Sequence, residues 1–199
     1  MAVAESDFVR DTSRGVTWAN ATALLVSVAG SAGSVYLSIG LGLKACPLCF
    51  YQRSFVMAAA LVVIVNLALE GLRSARACLL ALPMAVAGLA VALFHKYLVW
   101  TGKLECPAGL WGLGDGPAQS VVIFLLLFVA CLAAVPAAIR QWGRQAGTTA
   151  AAGLVLGLVA AWAAVASAPP LPAAPSQPYD PVKQPLDGCR PPFVQRADA

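Results

Sequence analysis

Apolar residues in this chain gather into five long stretches, with the polar residues collected between them. The stretches run from Val16 to Leu43, Ser54 to Leu69, Ala77 to Trp100, Ala118 to Ile139 and Thr148 to Ala168, and they carry almost no ionisable side chains. Each approaches the roughly 20 residues that a helix needs to cross the hydrocarbon core of a bilayer. The second is predicted to begin near Leu48, ahead of its uninterrupted apolar run. A backbone N–H or C=O left unpaired in lipid has no water to turn to, so these segments are predicted as helices and not as an open sheet. The expected fold is an all-α integral membrane protein.

Composition supports that class. The chain is 60% apolar and 11% charged, with a mean hydropathy of +0.78, too little charge to solvate the surface of a soluble domain of 199 residues. Arginines suggest an orientation. Arg10 and Arg14 precede the first stretch, Arg73 and Arg76 lie between the second and third, and Arg140 and Arg144 between the fourth and fifth. The positive-inside tendency puts these positions, and the amino terminus, in the cytoplasm. Lys44, Lys96 and Lys103 mark the opposite side, and five crossings put the segment from Pro169 to Ala199 there too. A cleaved signal peptide ending at Ser31-Ala32-Gly33-Ser34 is the alternative reading of the first stretch, but Glu5, Asp7 and Asp11 spoil its basic start. The net charge of +4 reflects the orienting arginines, so no nucleic-acid partner is expected. Nine of the fourteen prolines fall between Pro169 and Pro192, which predicts an extended strap lying over the outer surface.

On this topology Cys46, Cys49, Cys106 and Cys189 share the outer face, a compartment that permits disulfides. Cys78 and Cys131 lie elsewhere and read as small apolar packing residues. Cys46-Pro47-Leu48-Cys49 is a C-x-x-C at a helix start, where the positive helix end and the nearby Arg53 favour thiolate. Such close spacing lets two sulfurs cycle between dithiol and disulfide with little backbone movement. A zinc site completed by Cys106 and Cys189, or a static disulfide, would use the same residues in a non-enzymatic scaffold.

The run Cys46-Pro47-Leu48-Cys49-Phe50-Tyr51-Gln52-Arg53 resembles the DsbB family signature C-x-L-C-x-Y-[QE]-R at the outer start of the second membrane helix. The architecture is similar as well: four helices over about Val16 to Ile139, with a cysteine-bearing loop after the third. The resemblance implies a DsbB-like four-helix bundle across residues 1–147, to which this chain adds a fifth helix at 148–168 and the tail 169–199. It further implies a bacterial inner-membrane thiol:quinone oxidoreductase, which reoxidises a DsbA-like thioredoxin-fold partner and passes electrons to ubiquinone or menaquinone. Cys49 would face the quinone, Cys46 would be its exchange partner, and Arg53 would polarise the quinone oxygens, since a cation stabilises charge developing there. His95 would either hydrogen-bond the quinone or simply cap the bundle. Trp100, Trp111 and Tyr97 read as interfacial anchors. Familiar members keep both cysteines of the second pair in the loop after helix three, whereas residues 101–117 here hold only Cys106. The expected partner is Cys189, across the strap. A vitamin K epoxide reductase-like enzyme is the enzymatic alternative, but there the loop cysteines precede the C-x-x-C.

Overall fold

The computed structural model describes residues 2–193, with side chains from Arg14 onward, so the side chain of Arg10 and all of Arg196 lie outside the described residues. It contains five long helices, α1 (Ala2–Ile39), α2 (Pro47–Glu70), α3 (Arg76–Trp100), α4 (Gly116–Trp142) and α5 (Arg144–Ala166). All five are long and apolar enough to cross a membrane, with Arg14–Ile39 the qualifying part of α1. This is an all-α, multi-pass membrane protein.

Local chemistry fixes the helix ends. The first span stops at Ile39, short of the Leu43 that hydropathy suggested, because Gly40 turns the chain and Gly42 takes a positive φ of 68°. Cys46 caps α2 by accepting a hydrogen bond from the Cys49 backbone N–H, and Pro47 fills the first turn, where its missing N–H costs nothing. Asp115 caps α4 through the Ala118 N–H at 2.7 Å. Gly143 alone joins α4 to α5, with φ 60° and ψ −142°. The fifth helix therefore begins at Arg144, a turn earlier than its apolar run.

Among the spans α3 is the most enclosed, packed between α2, α4 and α5. Small residues let its neighbours approach closely. A Cβ on Gly88 would lie 1.9 Å from Phe124 of α4, and one on Gly157 of α5 would lie 2.6 Å from the Pro83 carbonyl. Pro83 and Pro136 sit inside α3 and α4; α5 packs on Pro83 through Gly153 and Gly157, whereas Pro136 is exposed.

The two ends of the bundle differ. At one end Arg76 pairs with Glu70 and stacks over Trp142, while buried Asn20 donates to the carbonyls of Leu72 and Ser74, both at 2.8 Å. At the other end lie Cys46, the loop after α3 and the proline-rich strap. Among its described residues the strap has no helix or ladder apart from one backbone bridge, in which Arg190 and Glu105 exchange hydrogen bonds of 2.8 and 3.0 Å. Lys44 holds it on the opposite flank, through its N–H to the Asp187 carbonyl at 2.6 Å and an ion pair at 2.7 Å.

Candidate redox centre

Four cysteines predicted on one face meet around one histidine. Cys106 and Cys189 form a disulfide with an S–S distance of 2.07 Å across a separation of 83 residues. Cys46 and Cys49 are a dithiol with their sulfurs 2.9 Å apart. His95 is wholly buried on α3. Its Nε2 lies 3.5 Å from Cys106 Sγ, 3.5 Å from Cys189 Sγ and 3.9 Å from Cys46 Sγ.

Each sulfur reaches this point from a different element. The helix start of α2 supplies Cys46 and Cys49, the loop after α3 supplies Cys106, and the strap supplies Cys189. Helical geometry then separates the first pair, because Cys46 as the cap faces His95 while Cys49, one turn in, faces a cavity. The Cys49 thiol beside it lowers the Cys46 pKa to about 4, and His95 and the Cys49 backbone N–H act in the same direction against the cost of burial. A sulfur so stabilised is an effective thiolate and an effective leaving group.

The cavity, of about 470 Å³, opens between α1, α2, α4 and the loop after α3. Its wall is mostly apolar, with Cys49, Gln52 and Arg53 on one side and Leu110, Trp111 and Ile123 on the other. Arg53 points across to α1, where its Nε donates to Ser34 Oγ at 2.9 Å and its Nη2 to the Ser34 carbonyl at 2.8 Å and Ser38 Oγ at 2.5 Å. Two serines thus hold a guanidinium at the edge of an apolar chamber, next to a thiol. Volume and lining fit a flat, largely apolar ring with carbonyl oxygens.

The structure brings Cys46, Cys49, Cys106 and Cys189 together, with Arg53 on the cavity wall. His95 is not among the residues lining the cavity; Gln52 Nε2 lies 3.2 Å from its Nδ1, and its Nε2 faces the sulfurs. Trp111, expected as an interfacial anchor, is highly exposed and also lines the chamber, at a positive φ of 56°. The ligand atoms of Cys46, Cys49, His95 and Cys189 all fall within 4.8 Å of one another, the spacing a zinc site would use. With Cys189 bonded to Cys106, that group offers two thiols and one imidazole in this state.

Three features were missed in the sequence. Gln52 belongs to the signature, yet only the fold shows it gripping His95. Cys78 and Cys131 are fully buried neighbours in the core, and Cys78 Sγ lies 3.1 Å from Asn20 Oδ1. Asn20 itself had a legible signal, an amide inside an apolar stretch.

The family model described as disulfide bond formation protein DsbB matches residues 16–152, well over half of the chain. No curated protein and no solved structure matches. The match ends inside α5, so most of that helix, the strap and Cys189 lie beyond it. A matched helical bundle, with a dithiol at the start of its second helix beside a second cysteine pair, makes this chain a member of the DsbB family of disulfide bond formation proteins.

Proposed function

We propose that the protein is a membrane thiol:quinone oxidoreductase that reoxidises a DsbA-like thioredoxin-fold partner on the outer face of the bacterial inner membrane. One observation carries this reading: a disulfide and a dithiol face each other across His95, and only Cys49 of the dithiol borders the cavity. That order suits a relay with an entry pair and an exit pair.

Electrons enter when a partner thiolate attacks Cys106, forming a mixed disulfide and releasing Cys189 as thiolate. Cys189 attacks Cys46 of an oxidised Cys46–Cys49 pair, so a Cys189–Cys46 bond forms and Cys49 leaves as thiolate. The partner's second thiolate then attacks the partner sulfur held on Cys106, and the partner departs oxidised. Freed Cys106 attacks Cys189, restoring Cys106–Cys189 and releasing Cys46. The net result is two electrons on Cys46 and Cys49, the state described here.

When bound, a quinone of the ubiquinone or menaquinone type supplies a two-electron, two-proton acceptor whose potential lies well above that of ordinary dithiols. Cys49 presents its sulfur to the chamber, and Arg53, held by Ser34 and Ser38, offers fixed positive charge. Apolar walls keep water away from the thiolate. Cys46 closes the pair again as a disulfide. Arginine placement supports an amino terminus in the cytoplasm and redox cysteines outside.

Trapping tests the relay. A thioredoxin-fold donor carrying a single thiol, mixed with the wild-type protein, should attack the Cys106–Cys189 disulfide, release Cys189 and accumulate as a donor–Cys106 adduct on a non-reducing gel. An adduct on Cys189 instead, or no adduct, would refute the entry step.

A further inference from the structure

We propose that His95 is a catalytic residue of the sulfur exchange itself, presenting a single Nε2–H to Cys189, Cys106 and Cys46, and that Gln52 is the positioning residue that keeps the proton on Nε2. The inference rests on the relay described above and concerns the exchange between its two cysteine pairs.

Gln52 begins the argument. It is buried on α2, and its amide nitrogen lies 3.2 Å from His95 Nδ1. An amide NH2 has only hydrogens to offer, so Nδ1 must present its lone pair, and the proton of a neutral imidazole is left on Nε2. Among the described residues, that second nitrogen faces three sulfurs, at 3.5, 3.5 and 3.9 Å. The tautomer is set from one side and used on the other.

Thiol–disulfide exchange moves one negative charge from sulfur to sulfur. In the inward step Cys189 carries it, the Cys189–Cys46 bond forms, the Cys46–Cys49 bond breaks and Cys49 takes the charge. In the restoring step Cys106 carries it, the Cys106–Cys189 bond forms, the Cys189–Cys46 bond breaks and Cys46 takes the charge. No proton need move in either step. Three of the four sulfurs that carry charge surround the same N–H, so a fixed donor meets the attacking thiolate in both steps and the leaving thiolate in the second. Burial of His95 excludes water from this role, which makes a preorganised donor worth more than it would be in solution. Cys106 and Cys189 border the cavity as Cys49 does, but Cys49 is not among the sulfurs that contact Nε2, and Arg53, on the same wall, offers its charge there instead.

His95 is the only histidine in the chain, so its ring nitrogens can be observed without assignment. In 15N-histidine-labelled wild-type protein the proton should reside on Nε2, and Gln52→Glu, whose carboxylate accepts from Nδ1–H, should place a proton on Nδ1. Exchange is measured without quinone. Fully oxidised protein receives one equivalent of reduced thioredoxin-fold donor, and acid quenching with alkylation follows label on Cys46 and Cys49. His95→Leu should slow its appearance by about 10- to 100-fold, the worth of a hydrogen bond to a charged group. His95→Gln, which keeps an N–H at similar reach, should recover part of the rate. An Nδ1–H tautomer in the wild type, or His95→Leu exchanging within twofold of it, would overturn the inference while leaving the relay intact. Absence of label on Cys46 and Cys49 in the wild type would overturn both.

Discussion

Glu105 and Arg190 exchange backbone hydrogen bonds of 2.8 and 3.0 Å, each residue standing immediately beside one cysteine of the Cys106–Cys189 disulfide. The strap is therefore registered on the loop by backbone as well as by sulfur. Opening the disulfide during turnover leaves that bridge in place, and the Lys44–Asp187 contacts hold the strap on its other side. Arg190→Pro removes one N–H of the bridge and should reduce turnover about fivefold, the equivalent of roughly 1 kcal/mol in positioning. Arg190→Ala keeps the backbone bridge and gives up the contact with Tyr179 and the hydrogen bond from Nη1 to the Gln184 carbonyl at 2.8 Å, so its turnover should fall less. Equal losses in steady-state assays would show that the side chain, not the bridge, sets the register.

Acidity at Cys46 can be read from labelling. Because its pKa is lowered to about 4, the thiolate is populated above that value and disappears as pH falls through it. Alkylation of Cys46 in the reduced protein should be nearly flat from pH 8 to about 5, then fall about tenfold per unit below 4. By linkage, the stabilisation from this thiolate is complete above the ordinary thiol value of 9.0 and is lost progressively down to about 4. A rate that climbs tenfold per unit between pH 6 and pH 8 would mean an ordinary thiol.

Docking of α5 on α3 should control formation of the redox centre from a distance. A side chain at Gly157 would meet the Pro83 carbonyl and Val86, so Gly157→Leu should cost about 1–3 kcal/mol and loosen the helix from which the strap departs. Peptide mapping should then find less Cys106–Cys189 disulfide. Full disulfide with an unchanged melting temperature would show that the contact can relax.

Legibility in the sequence followed the range of the forces involved. Hydropathy is local, so the five spans could be read directly, and the errors at Ile39 and Arg144 arose where glycine turns override apolar character. The signature exposed Cys46, Cys49 and Arg53 because those residues sit within two turns of α2. Cys189 could be placed on the correct face only by counting helices. The role of Gln52 required knowing which face of α2 meets His95 on α3, and the contact of Cys78 with Cys131 required the register of α3 against α4. Neither register is written in a single helix.

Arg53 donates three hydrogen bonds to α1, and this geometry predicts unequal variants. Arg53→Ala should raise the quinone concentration needed for half-maximal rate by about tenfold, with donor binding little changed. Arg53→Lys keeps charge but not the planar fork, so it should restore only part of that loss. Complete rescue by lysine in quinone titrations would reduce the role of Arg53 to charge alone.

Quinone absorbance measures the central claim most directly. Purified protein is mixed with quinone and a reduced thioredoxin-fold donor, and quinone reduction is followed for the wild type, Cys49→Ser and Cys189→Ala. The account predicts two electrons transferred per donor dithiol in the wild type, no reduction with Cys49→Ser, and loss of sustained turnover with Cys189→Ala. Undiminished quinone reduction by either variant would contradict it.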